Sequence, residues 1–312
     1  MRGLVVQSTG SFYMVRVGAD LYKCKLKGNF KLDGIRTTNP IAVGDYVMVD
    51  ASSSDANGGI SWIHEILPRT NYIIRRASNL SKEAHILGAN LDRTLLLVTI
   101  NYPITTTTFI DRYLASAEAY RVPVALVFNK VDRYGASDTQ LLHRYIATYQ
   151  KVGYDCFSVS ALTGKGLDEV RHYLSEGVTL IAGHSGVGKS TFINALAPNA
   201  AQQTAAISEA HNTGVHTTTF STMIPYGAGE AYLIDTPGIK GFGTIDFERE
   251  EVGHYFPEIF KVSKGCHYSN CSHTHEPKCA VRALLEQGEI SPTRYKSYLS
   301  ILKDDPSVKY RA

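Results

Sequence analysis

Three stretches hold the residue types that chemistry on a nucleotide or a metal needs. The first, "GHSGVGKST" at 183–191, fits G-x-x-x-x-G-K-[ST]. Its glycines 183, 186 and 188 let backbone N–H groups curl around phosphate oxygens. Lys189 then reaches the β- and γ-phosphates, and the Ser190 hydroxyl is a ligand for Mg²⁺. His184, Ser185, Val187 and Thr191 complete the loop around the phosphate chain. The second stretch, "AYLIDTPG" at 231–238, ends a buried strand on Asp235, a carboxylate that acts on Mg²⁺ through water, and sets the Gly238 N–H near the γ-phosphate. The third, "CHYSNCSHTHEPKC" at 266–279, places Cys266, Cys271 and Cys279 among several histidines. In a reducing compartment that clustering favours a metal over disulfides.

Base recognition points to a fourth stretch, "NKVD" at 129–132. Asp132 can accept two hydrogen bonds from the N1–H and 2-amino groups of guanine. Adenine has no such donor pair, so it would leave buried groups unpaired. Asn129 and Lys130 tie loops together and pack over the base, with Val131 between them and Asp132. "SAL" at 160–162 (Ser160, Ala161, Leu162) also ends a strand, and the Ala161 N–H is a donor for guanine O6. These features make GTP and GDP, with Mg²⁺, the expected cofactors.

Between the phosphate loop and "DTPG" lies "SEAHNTGVHTTTF" at 208–220, polar and glycine-containing. A threonine here, Thr218 in preference to its neighbours, would close on Mg²⁺ and the γ-phosphate as a nucleotide switch does. Ile239 follows Gly238, where many GTPases carry a glutamine that positions water. An aliphatic side chain cannot do this, and His216 is the nearest group in sequence that can. Lys189, Gly238 and His216 are therefore the expected catalytic set.

The elements that position these residues follow from patterning. Residues 1–68 contain five short strand-like runs ("LVVQ", "FYMVRV", "LYKCKLK", "DYVMVD", "ISWIHEIL") separated by turns, as in a small closed barrel such as the OB-fold. In "YKCKLK", period two places Lys23, Lys25 and Lys27 on one face, suited to a nucleic-acid backbone or simply to solvent. "LPRTNYIIRRAS" at 67–78 reads as a connection. From about 92 to 238 apolar strands alternate with amphipathic helices, which implies a parallel sheet covered by helices. Beyond Gly243 the chain is polar and irregular, with short helices in "VRALLEQG" and "TRYKSYLSIL". The expected division is 1–68, 69–243 and 244–312.

Composition limits the alternatives. Hydrophobic residues are 44% and charged residues 20%, as in folded soluble protein. The apolar runs are too short to span a bilayer and no leader-like stretch opens the sequence, so a cytoplasmic protein without a membrane partner is expected. A net charge of +3 is weak support for a nucleic-acid partner. Its distribution is uneven, because residues 261–312 hold nine Lys/Arg against five Asp/Glu. On residues alone, a GTP-regulated RNA-binding scaffold and a zinc enzyme with an accessory nucleotide site stay open beside a GTP hydrolase.

The order of motifs is unusual, because "NKVD" and "SAL" precede the phosphate loop. NKVD, SAL, GHSGVGKST, TTT and DTPG in succession resemble the circularly permuted GTPases. With an N-terminal barrel and a C-terminal Cys/His cluster, nearly the whole chain is similar to the ribosome small subunit-dependent GTPase A family of bacteria. That resemblance implies a multidomain chain: an N-terminal all-β OB-fold, a central permuted α/β P-loop GTPase and a small helical zinc domain. It implies GTP hydrolysis stimulated by the small ribosomal subunit during late maturation, contact with its rRNA, and action as a monomer. "TGVHTTT" is similar to the family's Gly-Arg-His-Thr-Thr-Thr segment, with Val215 in place of the arginine. Cys266, Cys271, His273 and Cys279, spaced C-x₄-C-x-H-x₅-C, are similar to its zinc motif and would hold one structural Zn²⁺. His267 and His275 compete by proximity, but His273 matches the pattern.

Overall fold

Alternation of apolar and polar residues closes the first strands into a barrel. The protein is described by a computed structural model over residues 1–9, 11–27, 39–50, 59–76, 84–198, 221–227, 231–236 and 247–304. Strands β1 (Arg2–Ser8), β2 (Tyr13–Val17), β3 (Asp20–Leu26), β4 (Tyr46–Asp50) and β5 (Ser61–Ile66) are ordered β1-β2-β3-β5-β4, and β4 pairs back onto β1. This is the OB-fold order that the five runs suggested. Val5, Tyr13, Val15, Tyr22, Cys24, Val47, Val49 and Ile63 fill the interior. Because side chains alternate, Lys23 and Lys25 stand outside the wall that Tyr22 and Cys24 line.

The segment expected as a plain connection contains a strand. Residues Tyr72–Arg76 form β6 and pair antiparallel with β7 (Ala84–Ala89). Ile73 and Leu87 of this pair join Val6, Met14 and Val43 of the barrel in the core beneath the large sheet. Their burial explains an apolar run that the sequence reading treated as a linker.

The central region alternates as expected: β8 (Arg93–Val98), α1 (Thr107–Ala119), β9 (Val124–Phe128), α2 (Ala136–Val152), β10 (Asp155–Ser158), α3 (Leu167–Tyr173), β11 (Gly177–Ala182), α4 (Lys189–Leu196), β12 (Thr222–Tyr226) and β13 (Ala231–Asp235). The sheet order is β10-β9-β8-β11-β13-β12, parallel up to β13. Its central strands β8 and β9 are buried on both faces. Leu96 and Val98 pack with α1 and α2, while Leu95 and Leu97 pack with α3 and α4. β12 departs from the expected pattern: it runs antiparallel to β13 and meets β1 at Gln7↔Thr222, joining the large sheet to the barrel. The parallel strands bring the carboxyl ends of β9, β11 and β13 to one edge, where ligands bind in open α/β sheets.

The C-terminal region adds a 3₁₀ turn at Val252–Tyr255 and helices α5 (Pro257–Ser263), α6 (Ala280–Glu286) and α7 (Pro292–Leu302). The two short helices read from sequence correspond to α6 and α7, whereas α5 was not foreseen. Helix α1 begins at a Thr106 cap whose hydroxyl accepts the Phe109 N–H at 3.2 Å. Every residue of α1 from Ile110 to Ala117 is buried, including Asp111 and Arg112, which an isolated surface helix would show to water. α7 covers them. Arg294 donates to Asp111 Oδ1 at 2.9 Å and to both oxygens of Glu258 at 2.7 and 3.0 Å. Arg112 donates to Ser300 Oγ at 3.0 Å and to Asp304 Oδ1 at 2.8 Å. No helix among the described residues is long and apolar enough to cross a membrane.

Candidate active site and metal centre

Strand β11, buried from Thr179 to Ala182, delivers the chain into the loop at 183–188. Gly183, Gly186 and Gly188 have φ of +151°, +84° and +95°. Two of them also have no room for a side chain. A Cβ would lie 2.7 Å from the Leu97 carbonyl oxygen at Gly183, and 2.6 Å from Asn129 Nδ2 at Gly188. The loop ends in α4, whose Phe192 and Ile193 anchor in the core while Ser190 and Thr191 stay exposed at its first turn. N–H groups at this helix start have no intrahelical partner and favour anions. The Lys189 ammonium donates to the Gly183 carbonyl at 2.9 Å, which holds it across the loop.

At the neighbouring strand end, Asn129 is 2% exposed. Its Nδ2 donates to the Val187 carbonyl at 2.9 Å, and its Oδ1 accepts the Ala161 N–H at 3.0 Å. Lys130 takes the left-handed region, with φ of 65°, and its ammonium donates to Gly186 O at 2.6 Å and Tyr102 O at 2.7 Å. Val131 and Asp132 lie in a 3₁₀ turn, Val131–Arg133, where Asp132 is exposed. Ser160 is buried and its Oγ accepts the Thr163 N–H at 3.1 Å, while Leu162 projects outward. The Ala161 N–H, expected as a donor to guanine O6, here holds the 160–162 turn onto Asn129.

Asp235 ends β13 opposite Ile181 of β11. Burial pushes its carboxyl from the ordinary 3.8 up to about 6, against the pull of the Lys189 charge and the Thr236 N–H. Burial lowers the Lys189 ammonium, and Asp235 opposes that shift. Thr236 donates its hydroxyl to the Ile181 carbonyl at 2.8 Å, fixing the chain just after Asp235. The structure thus gathers residues 129–132, 160–162, 183–191 and 235 at one sheet edge. His216, Thr218 and Gly238 lie outside the described residues, as do Val215 and Ile239.

Sequence reading missed the segment 100–106, which lies beside this loop. Thr105 Oγ1 accepts the Thr99 N–H at 3.0 Å and lies 2.6 Å from His184 Nε2. The Ser185 carbonyl, 3.0 Å from Nδ1, can only accept, so the proton sits on Nδ1, and Nε2 of the neutral ring accepts the Thr105 hydroxyl. Burial and the Lys189 and Lys130 charges lower the His184 pKa, which keeps the ring neutral. Phe109 meets the same ring edge-on at 5.5 Å. Tyr134 donates to the Asn129 carbonyl at 2.6 Å and accepts the Ile100 N–H at 2.8 Å. Nothing in the local sequence marks these residues except the threonine run that caps α1.

The cysteine cluster is assembled. One ligand atom each from Cys266, Cys271, His273 and Cys279 lies within 4.8 Å of the others. His273 Nδ1 is 3.6 Å from Cys266 Sγ and 3.5 Å from Cys279 Sγ, and those sulfurs are 4.0 Å apart. A tetrahedron with Zn–S near 2.3 Å has ligand edges of roughly 3.5–3.8 Å, so the set fits a four-coordinate metal of that size. His267 packs on Tyr268 and His275 lies against Thr274, so neither joins it. Tyr295 donates to the His273 carbonyl at 2.7 Å and Tyr298 to the Ser272 carbonyl at 2.8 Å, which orients the ligand loop from outside.

Comparison with known proteins agrees with this architecture. The RsgA GTPase family model matches residues 66–245, and the RsgA N-terminal domain model matches residues 2–60. A "Small ribosomal subunit biogenesis GTPase RsgA" from Bacteroides fragilis strain YCH46 is 58% identical over 100% of this chain and 99% of its own length. The protein of that name from Porphyromonas gingivalis strain ATCC 33277 is likewise 58% identical, with the same coverage. Among solved structures, YjeQ from Thermotoga maritima superposes with a TM-score of 0.74 at 31% identity, covering 96% of each chain. YloQ, described as a circularly permuted GTPase, gives 0.70 at 27%, covering 96% of this chain and 93% of its own. The chain belongs to the RsgA GTPase family and is a GTP hydrolase with circularly permuted motifs.

Proposed function

We propose that this GTPase acts on the small ribosomal subunit during its late maturation, with subunit binding stimulating hydrolysis. The observation that carries the reading is the 58% identity, end to end, with proteins described as small ribosomal subunit biogenesis GTPases. The partner is then the subunit with its rRNA, the setting is the cytoplasm, and the acting form is a monomer.

The site supports a division of roles. Asp132 reads the guanine edge. Asn129 and Lys130, with Val131 behind them, hold the base loop to the phosphate loop through Val187 and Gly186. Ser160, Ala161 and Leu162 close the base pocket. Backbone N–H groups from Gly183 to Thr191 carry the phosphates, and Lys189 neutralises the β/γ charge. Ser190 and Thr218 ligate Mg²⁺, with Asp235 acting through its water. Gly238 donates to the γ-phosphate and His216 orients the attacking water. Cys266, Cys271, His273 and Cys279 hold one structural zinc, which ties together a segment too polar to build its own core. The functional division we assign is 1–68, 69–243 and 244–312.

Steady-state GTP turnover with and without purified small subunits tests the reading. Stimulation of at least about tenfold is expected, since a stabilising group supplied in trans is worth far more than that in related chemistry. Flat, slow turnover would instead favour a GTP-regulated scaffold. His216→Ala hydrolysing at the parental rate with subunits present would remove that histidine from the mechanism.

A further inference from the structure

Three successive carbonyls of the phosphate loop are each taken by a side-chain donor. His184 Nδ1 lies 3.0 Å from Ser185 O, Lys130 Nζ 2.6 Å from Gly186 O, and Asn129 Nδ2 2.9 Å from Val187 O. These peptides are trans, and in a trans peptide the carbonyl and the following N–H point opposite ways. Each donor therefore turns the next N–H, of Gly186, Val187 or Gly188, away from itself. Among the described residues none of these three N–H groups meets an acceptor. Unpaired N–H groups in succession, with glycines 186 and 188 at positive φ, make a concavity for anions.

Asn129 and Lys130 reach in from the base loop. His184 comes from a free position of G-x-x-x-x-G-K-[ST], and the peptide it holds is the one with most freedom. Gly186 follows that peptide with φ of +84°, and a glycine there tolerates either setting of the preceding peptide plane. Flipped, the plane would aim the Ser185 carbonyl at the phosphates in place of the Gly186 N–H. The carbonyl dipole repels the charge that the N–H attracts.

The ring is itself held. Thr105, buried beside the loop, accepts the Thr99 N–H at 3.0 Å and lies 2.6 Å from Nε2. Its hydroxyl and the Ser185 carbonyl together select the neutral tautomer with the proton on Nδ1. Phe109 packs edge-on against the ring at 5.5 Å and restrains its plane.

We infer that His184 is a positioning residue of the phosphate site: its Nδ1–H pins the Ser185–Gly186 peptide so that the Gly186 N–H faces the phosphates, and Thr105 keeps the ring in the tautomer that does so. The inference rests on the assignment of the GTP phosphates to this loop.

GDP binding by full-length protein, measured in calorimetry, tests it. His184→Ala should weaken GDP about tenfold, the loss expected when a hydrogen bond to a charged group is misaligned. Asparagine carries an amide N–H at the place of Nδ1 and nothing at the place of Nε2, so His184→Asn should recover most of that loss. Thr105→Val should weaken GDP in the same sense, and Thr105→Ser should not. Inosine diphosphate lacks the 2-amino group, so the ratio of the two affinities reads base recognition alone. That ratio should stay parental in every variant, which a general loss of site structure would not allow. In isotope-labelled parent, the long-range proton–nitrogen correlation of the ring, assigned by its loss in His184→Asn, should show the Nδ1–H tautomer. Parental GDP affinity in His184→Ala overturns the inference, as does an asparagine variant no better than alanine or a ring protonated on Nε2 alone. If Lys189→Ala abolishes GDP binding while His184→Ala leaves it parental, the loop assignment stands and the inference falls. If Lys189→Ala binds GDP as the parent does, the assignment fails and takes the inference with it.

Discussion

Asn129 and Val187 are 58 residues apart in the chain and joined by one hydrogen bond of 2.9 Å, from the buried side-chain amide to the carbonyl of the phosphate loop. The same side chain accepts the Ala161 N–H, so one residue holds the base loop, the 160–162 turn and the phosphate loop in register. Removing the amide leaves a buried carbonyl and a buried N–H unpaired, at a cost of about 1–3 kcal/mol each. Asn129→Ala should therefore weaken GDP by about ten- to a hundredfold in calorimetry while the protein stays folded. An unchanged dissociation constant would show that the tie does not organise the site.

Asp235 is held in a surrounding that disfavours its charge. Burial lifts its carboxyl from 3.8 to about 6, so between those values the folded chain keeps a proton that the unfolded chain has released. Its contribution to stability then falls as pH rises through that window, by up to about 3 kcal/mol, and stays low above it. In nucleotide-free protein with chelator, Asp235→Asn should melt higher than the parent at pH 8, and the gain should shrink towards pH 4. Its Mg²⁺-dependent GTP turnover should fall. A melting difference independent of pH would contradict this account.

Metal analysis of protein purified without chelator should find one zinc per chain. Cys271→Ser should lose that zinc and expose residues 247–304 to proteolysis, since binding and folding of such a segment are one process. Parental protease resistance without the metal would count against a structural role.

Arg294 is fully buried between Asp111 of α1 and Glu258 of α5. Removing one partner of a buried pair leaves an uncompensated charge, so Arg294→Ala should cost about 3–5 kcal/mol in denaturant unfolding. Asp111→Asn with Arg294→Met should recover part of that loss. A cost for the double variant equal to the sum of the two single costs would mean the pair is not coupled.

Much of this architecture is legible in the residues because each expected element has a local cause. Tyr22 and Cys24 alternate with Lys23 and Lys25 and mark β3 as a barrel wall. Leu95–Val98 is continuously apolar because both faces of β8 are covered. The phosphate loop declares itself through glycines whose Cβ atoms would strike Leu97 and Asn129. Where sequence reading fell short, the cause was tertiary. Ile73 and Leu87 make sense only between the barrel and the large sheet. Asp111 and Arg112 look like solvent residues of α1 until α7 covers them. Thr105 and Tyr134 serve the site through contacts with His184 and Asn129 that no local pattern predicts.

The most direct test joins guanine reading to subunit stimulation: turnover of GTP and of xanthosine triphosphate by Asp132→Asn with saturating small subunits. Xanthine carries an oxygen where guanine has its 2-amino group, so an amide in place of the carboxylate donates where Asp132 accepts. The account predicts that the variant loses subunit-stimulated GTP turnover by at least about a hundredfold and gains subunit-stimulated turnover of the xanthosine nucleotide. Parental GTP turnover by the variant, or no stimulation of either nucleotide by subunits, would contradict it.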